Sequence, residues 1–255
     1  MVGARPAYRH PMPDAIFAHP RLAAVYDAFD GDRADLDAYR RVAAELGARR
    51  VLDIGCGTGN LAVLLTEDGL DVTGVDPAAA SLAIAATKDP DGAIRWIHGD
   101  ATDVPATAPG FDLAVMTGNV AQVFLTDAEW TATLRAIHAT LRPGGHLVYE
   151  TRRPEYRAWE EWAADTAPAR RDVPGVGIVE QTRQVTDVDL PLVSFRESYR
   201  FESDGEVVDS RSTLRFRDRA ESETALRDNG FEVRDVRQAP DRPGREFVFV
   251  ARRVG

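Results

Sequence analysis

Val51-Leu52-Asp53-Ile54-Gly55-Cys56-Gly57-Thr58-Gly59-Asn60 joins a short apolar run to three glycines at alternate positions. The run suits a strand buried on both faces of a parallel sheet. Glycines let the chain turn sharply and approach a ligand without a Cβ clash. Asn60 to Glu67 then reads as a helix stopped by Gly69. The start of a helix offers free N–H groups to a carboxylate or phosphate. Dinucleotides prefer G-x-G-x-x-G. Here the sixth position is Asn60, and Asp53 lies two residues before the first glycine. A pyrophosphate disfavours that carboxylate, whereas an ammonium, or a water beside it, suits it.

The surrounding chain repeats the same alternation. Asp35 to Leu46 reads as a helix, with Leu36, Tyr39, Val42, Ala43 and Leu46 on one face and Gly47 as its stop. Leu70 to Val75 is the second strand, closed by Asp76, and Pro77 is placed as the first residue of the next helix, which runs to about Thr87. Ile94 to His98 and Phe111 to Met116 are the third and fourth strands. Thr126 to Glu129 is a capping box that starts a helix at Asp127, with Trp130, Leu134, Ile137 and Leu141 on its apolar face. Arg142 to Gly145 ends that helix and His146 to Thr151 is the fifth strand. Such alternation specifies βαβ units, a mostly parallel sheet and helices on both faces.

The pattern changes after Arg153. Val176 to Thr186, Leu192 to Ser203 and Glu206 to Phe216 read as three antiparallel strands, with Asp204-Gly205 suited to a two-residue hairpin. Glu221 to Asp228 is helical, Asn229-Gly230 stops it, and Phe231 to Val236 and Glu246 to Arg252 form a last strand pair. The expected organisation is a tail and cap segment over 1–33, a main domain over 34–153 and 218–255, and an antiparallel insertion over 154–217 acting as a lid or an interface.

Polar groups gather at the carboxyl edge of this sheet, where open α/β sheets bind ligands. Asp76 lies seventeen positions after Gly59, where an acid can accept from two ribose hydroxyls; it can also cap the helix that follows. Asp100 in Gly99-Asp100-Ala101 can accept from an adenine amino group or shape a turn. Thr117-Gly118-Asn119 follows the fourth strand. Cys56 reads as a small loop residue.

These residues resemble the class I S-adenosylmethionine-dependent methyltransferases. Val51 to Gly59 resembles that family's first motif, Val75-Asp76 its second, Gly99-Asp100-Ala101 its third, and Leu141 to Val148 its turn into the fifth strand. The resemblance implies a doubly wound, Rossmann-like seven-stranded α/β sheet of order 3-2-1-4-5-7-6, with strand seven antiparallel. It implies S-adenosyl-L-methionine as cofactor, held by Asp53, Gly55, Cys56, Gly57, Thr58, Gly59, Asp76, Pro77, Asp100 and Ala101. Thr117, Gly118, Asn119 and Val120 would border the sulfonium and the acceptor entrance. The N-P-P-Y motif of amide-nitrogen methylating members is absent after the fourth strand.

The cofactor carries the hard chemistry of methyl transfer, so no catalytic motif is required. The implied reaction is transfer to N, O or C of a small metabolite. Residues placed near the acceptor are Tyr26, Gln122 and Arg152, with Asn119. Glu150 and Glu197 are the candidates for a general base. In Val193 to Phe201 the odd positions share one face. That face is apolar and aromatic with Glu197 in it. It reads either as a lid in which Glu197 handles an amine, or as a face packed on the core or on a second copy of the chain. Tyr26, Trp159 and Trp162 can equally be packing residues, and Glu150 and Arg152 a surface ion pair.

Composition excludes other classes. Hydrophobic residues make 44% and charged residues 28% of the 255, which is globular and not disordered. A net charge of −10 with no basic run argues against nucleic acid. The five histidines have no paired metal spacing, and one cysteine forms neither an internal disulfide nor a cysteine-rich zinc site. No metal is expected. No apolar run approaches the ~20 residues of a membrane helix, so no membrane partner and a cytoplasmic location are expected. Two alternatives stay open: a cofactor-binding protein without turnover, and a nicotinamide-dependent oxidoreductase, against which Asn60 and Asp53 argue.

Overall fold

The computed structural model describes residues 13–31, 33–106 and 110–255. The expected loose tail, Met1 to Asp14, lies mostly outside them. Strand β1 (Arg50–Ile54) sits at the centre of a seven-stranded sheet, pairing in parallel with β2 (Asp71–Asp76) and β4 (Phe111–Met116). Strand β3 (Arg95–His98) flanks β2, and β5 (Leu141–Arg152) flanks β4. Two late strands, β10 (Phe231–Arg237) and β11 (Glu246–Arg253), complete it, with β11 antiparallel to both β5 and β10. The order is β10-β11-β5-β4-β1-β2-β3. Counted within this sheet alone, that is the expected 3-2-1-4-5-7-6.

Period-two alternation feeds both faces. Leu52, Ala114, Met116, Leu147 and Tyr149 join one apolar cluster, with Trp130, Leu134 and Ile137 of helix α7 (Asp127–Thr140). Val51, Leu113, Val115 and Val148 join the other, with helices α4 (Leu36–Glu45) and α5 (Asn60–Glu67). Each fully enclosed leucine among them contributes about 1.5–3 kcal/mol. Helix α6 (Ala79–Thr87) follows β2. The helices after β1 and β4 leave on opposite faces, which opens a crevice beyond the carboxyl ends of those two neighbouring strands.

A second sheet is antiparallel throughout: β6 (Ala169–Val173), β7 (Gly177–Asp189), β8 (Leu192–Phe201) and β9 (Val207–Arg215), in that order. The odd-numbered face of β8 is its buried one. One end of that face packs on three short cap helices, α1 (Ala15–Ala18), α2 (Pro20–Ala23) and α3 (Tyr26–Asp30). The other packs on helix α8 (Ala158–Ala164).

Four local expectations change. Helix α6 begins at Ala79, not Pro77, because the Asp76 carboxylate accepts the Ala78 N–H at 2.8 Å and holds a turn there. Leu141 to Gly145 belongs to β5, where a register shift against β4 absorbs the glycines. The β8–β9 turn is longer than two residues: Phe201 pairs with Glu206, and Asp204-Gly205 ends the loop between them. Strand β6 was not expected; Ala169-Arg-Arg-Asp-Val173 is charged because β6 is an edge strand with exposed side chains. Helix α9 (Arg219–Asp228) closes the main sheet with a capping box from Asp218 and Glu221.

Candidate functional site

The glycine turn is tied to the end of β2. The Gly55 and Cys56 N–H groups donate to Val75 O at 2.8 and 3.2 Å. The Gly57 N–H donates to Asp76 Oδ2 at 2.9 Å, so the two stretches quoted as first and second motifs meet at one carboxylate. Gly57 has φ +53 and nothing within 4 Å of where a Cβ would stand, so its backbone borders open space. Gly55 is needed for the opposite reason: a Cβ there would lie 2.6 Å from Val120. That contact brings the loop after β4 against the turn. Cys56 is buried, and burial raises its thiol well above the ordinary value, so it is no nucleophile at neutral pH.

Asp53 is 1% exposed, and its Oδ1 has no hydrogen-bond partner among the described residues. Burial first, then the nearby Asp76, pushes its carboxyl up to about 7, against a smaller opposing pull from Arg33. An unpartnered buried carboxylate is costly unless a cation meets it. Asp76 is also buried, and burial raises its carboxyl despite the two backbone donors. Pro77 is exposed, with its carbonyl 3.0 Å from His98 Nε2.

At the third strand end, Asp100 Oδ1 accepts the Thr102 N–H at 2.6 Å and caps a short 3₁₀ turn over Ala101–Asp103; the turn-shaping role considered for it is therefore present. Ala101 is buried in the apolar cluster. Beyond β4, Thr117 is half-buried and Gly118 exposed, while Asn119 is buried with φ +62.

Asn119 is held by two acids. Its N–H donates to Glu150 Oε1 at 3.2 Å and its Nδ2 to Glu246 Oε1 at 3.0 Å. Glu150 also accepts from the Tyr39 hydroxyl. Both oxygens of Glu150 are thus engaged, which suits it to positioning the Asn119 loop more than to taking a proton. Burial and then Glu246 raise its carboxyl. Arg242 bridges the pair, 3.1 Å from Glu246 and 3.9 Å from Glu150. Arg152 donates to Gln122 Oε1 at 2.9 Å, and Gln122 Nε2 reaches Arg215 O of β9 at 3.3 Å. These two residues join the loop after β4 to the second sheet. The ion pair considered for Glu150 and Arg152 is not among those formed; Arg152 lies 3.9 Å from Glu246 instead.

The cap reaches the same turn from the other side. Asp27 of α3 accepts from Thr58 Oγ1 at 2.6 Å, Asn60 Nδ2 at 3.0 Å and Lys88 Nζ at 2.6 Å. Lys88 also donates to Asn60 Oδ1 at 2.6 Å. The Thr58 hydroxyl is therefore committed to the cap. Its neighbour Tyr26 packs on Phe17 with ring centroids 5.6 Å apart. Glu197 lies on the second sheet, 6% exposed, and accepts from Gln181 and Arg183.

Sequence reasoning missed Asp27, Lys88, Arg33, Glu246 and Arg242. Asp27 and Lys88 had no signal, being far from the turn in the chain. Glu246 had one: it is the acid opening the otherwise apolar strand Phe247 to Ala251, opposite Arg152 in register. Among the described residues, no group of three or more His, Cys, Asp and Glu could hold a metal, and no helix is long and apolar enough to cross a membrane.

Comparison with known proteins falls on the same stretch. Residues 51–145 match the family model described as "Methyltransferase domain". The phthiotriol/phenolphthiotriol dimycocerosates methyltransferase of Mycobacterium leprae is 29% identical over 156 residues, 59% of this chain and 56% of that protein. The chain spans roughly half the length of the curated relatives it matches. Among solved structures, a sugar N-methyltransferase from Streptoalloteichus sp. ATCC 53650 superposes with TM-score 0.74 at 24% identity, covering 100% of this chain and 99% of that one. An amino pentose methyltransferase from Micromonospora echinaspora, solved with S-adenosylmethionine bound, gives TM-score 0.69 at 25% identity, covering 90% and 97%.

Proposed function

We propose, from the premise that residues 51–145 are a methyltransferase domain on a class I sheet, that the protein transfers a methyl group from S-adenosyl-L-methionine to N, O or C of a small molecule. One observation carries the choice of cofactor. The crevice places two buried carboxylates, Asp53 and Asp76, beside the glycine turn, and one oxygen of Asp53 is without a partner among the described residues. A ligand that is cationic at two places, the amino group and the sulfonium, fits that charge. A dinucleotide brings a pyrophosphate dianion to the same place and does not.

In this reading Asp53 faces the ammonium and the open backbone of Gly57 borders the methionine portion. Asp76, already oriented by two N–H donors, keeps lone pairs for ribose hydroxyls. Asp100 and Ala101 frame the adenine. Val120 and the Asn119 loop, fixed by Glu150 and Glu246, border the sulfonium. The cofactor supplies a methyl carbon already activated by positive sulfur. The chain supplies approach geometry and excludes water, with the cap latched over the turn by Asp27 and the second sheet joined at Gln122.

The acidic net charge supports a small-molecule acceptor over nucleic acid. The second sheet is read as a lid over the acceptor, since its buried face meets the cap helices; pairing of two copies through it is the competing arrangement. Calorimetric titration with S-adenosylmethionine and with NAD tests the cofactor. Release of S-adenosylhomocysteine from a panel of small acceptors tests turnover, and binding without release would leave a cofactor-binding protein.

A further inference from the structure

The buried face of the second sheet is apolar at both ends and polar in the middle. Tyr199 and Phe201 close one end against Ile16, Leu22 and Val25 of the cap. Val193 closes the other against Trp159 and Phe216. Between them, strand register sets Gln181 and Arg183 of β7 beside Tyr199 and Glu197 of β8, and Ser210 and Ser212 of β9 beside Glu197 and Phe195. Residues opposite each other on neighbouring strands share a face, so these side chains form one patch. The cap comes down on it: the Ile16 N–H donates to Ser210 Oγ at 2.9 Å.

Glu197 is unevenly satisfied. Its Oε1 accepts three donors, Gln181 Nε2 at 3.0 Å and Arg183 Nε and Nη2 at 2.9 and 2.6 Å. Among the described residues, its Oε2 accepts only the Tyr199 hydroxyl, at 3.3 Å. In the ion pair the Arg183 side chain is 40% exposed and that of Glu197 7%, so the carboxylate is the inward partner. Glu197 is among the charges that raise the Tyr26 pKa, after burial and Asp30. Asp14 is raised by burial and also by Glu197. The Tyr199 hydroxyl therefore stands at the inner edge of Glu197, while its guanidinium partner sits on the outer edge. Trp162 and Phe195, with ring centroids 5.6 Å apart, make an adjoining aromatic wall. The patch lies on the acceptor side of the crevice, because α3 sets Phe29 against Tyr199, with ring centroids 5.5 Å apart, and carries Asp27 to the glycine turn.

We infer that the methyl acceptor is a protonated amine, and that Glu197 binds its ammonium through Oε2, with the Tyr199 hydroxyl beside it. The inference rests on the methyl-transfer reading and names its substrate class. An ammonium has no lone pair and must lose a proton before its nitrogen can bond to carbon. At Glu197 an N–H bond breaks, an O–H bond forms on Oε2, and the amine keeps the electron pair; the proton then leaves to solvent. Arg183 anchors the carboxylate through its other oxygen. A neutral alcohol gains little from this site, and an anionic acceptor is repelled by it.

Three probes with one ring and different charge test this on the full chain: tyramine, its alcohol analogue tyrosol, and 4-hydroxyphenylacetate. Each is titrated calorimetrically with S-adenosylhomocysteine present and absent. Tyramine should bind at least about tenfold tighter than tyrosol, with the carboxylate weakest. Glu197→Gln should abolish the amine preference and leave tyrosol binding unchanged. Arg183→Gln, which frees the carboxylate without touching the ammonium site, should tighten tyramine binding, an effect that a purely structural ion pair does not produce. Absence of tyramine binding, equal affinity for the three probes, or an amine preference surviving in Glu197→Gln overturns the inference. Normal titration of S-adenosylhomocysteine alone in those cases leaves the methyl-transfer reading standing; loss of that titration defeats the reading itself.

Discussion

Replacing Asp53 by Asn should stabilise the protein at pH 8 and weaken cofactor binding, two effects of opposite sign from one atom. Unfolded, this carboxyl ionises near 3.8; folded, burial and Asp76 hold its proton to about 7. Its contribution to stability is therefore full below 3.8 and is lost as the pH rises to about 7. At pH 8 the ionised group costs about 4 kcal/mol, since each unit of pKa is worth about 1.4 kcal/mol. Asn never ionises, but its amide needs an acceptor at the same buried spot, so roughly half that gain should be realised. For a chain of this size, about 2 kcal/mol raises the melting temperature by roughly 4–8 °C. The gap should close as the pH falls toward 4. Scanning calorimetry at pH 8 and pH 4 measures it. S-adenosylhomocysteine should bind the variant about 10–100-fold more weakly, because a charge-assisted contact is lost. A lower melting temperature at pH 8 with unchanged affinity would show that Asp53 is a structural group and refute the reasoning.

Asp76→Ala leaves the Gly57 and Ala78 N–H groups without their acceptor; stability should fall by about 2–3 kcal/mol in denaturant titration and cofactor affinity by more than about tenfold. Asp27→Ala removes three contacts that latch the cap onto the turn. It should speed release of S-adenosylhomocysteine in stopped-flow by several-fold while lowering the melting temperature only slightly; an unchanged release rate would show that the latch does not hold the ligand in.

The sheet was legible because each of its first five strands carries its own boundary. Val51, Leu52 and Ile54 are apolar since neighbours cover both faces, and Thr126 and Glu129 mark the start of α7 by reciprocal bonds. The odd-numbered face of β8 was legible for the same reason, as period two survives in a half-buried strand. Strand β6 was not, because an exposed edge strand has no apolar pattern to read. Pro77 misled because its fixed φ suits a helix start, while the Asp76 carboxylate delays that start to Ala79. In the site, the turn and Asp76 could be paired from sequence because both close neighbouring strands. Asp27, Lys88 and Arg242 could not, since their partners lie on other elements and nothing in their own stretches marks them. Glu150 was singled out from its place near a strand end, but its engagement by Tyr39 and Asn119 depends on packing of α4 against β5.

Titration calorimetry of the full chain against S-adenosylhomocysteine, with NAD under the same conditions, bears most directly on the claim that a glycine turn flanked by two buried carboxylates selects a cationic nucleoside. One-site binding of the thioether nucleoside and of S-adenosylmethionine, with no heat from NAD, is the predicted result. Binding of NAD with no response to either sulfur nucleoside would contradict it.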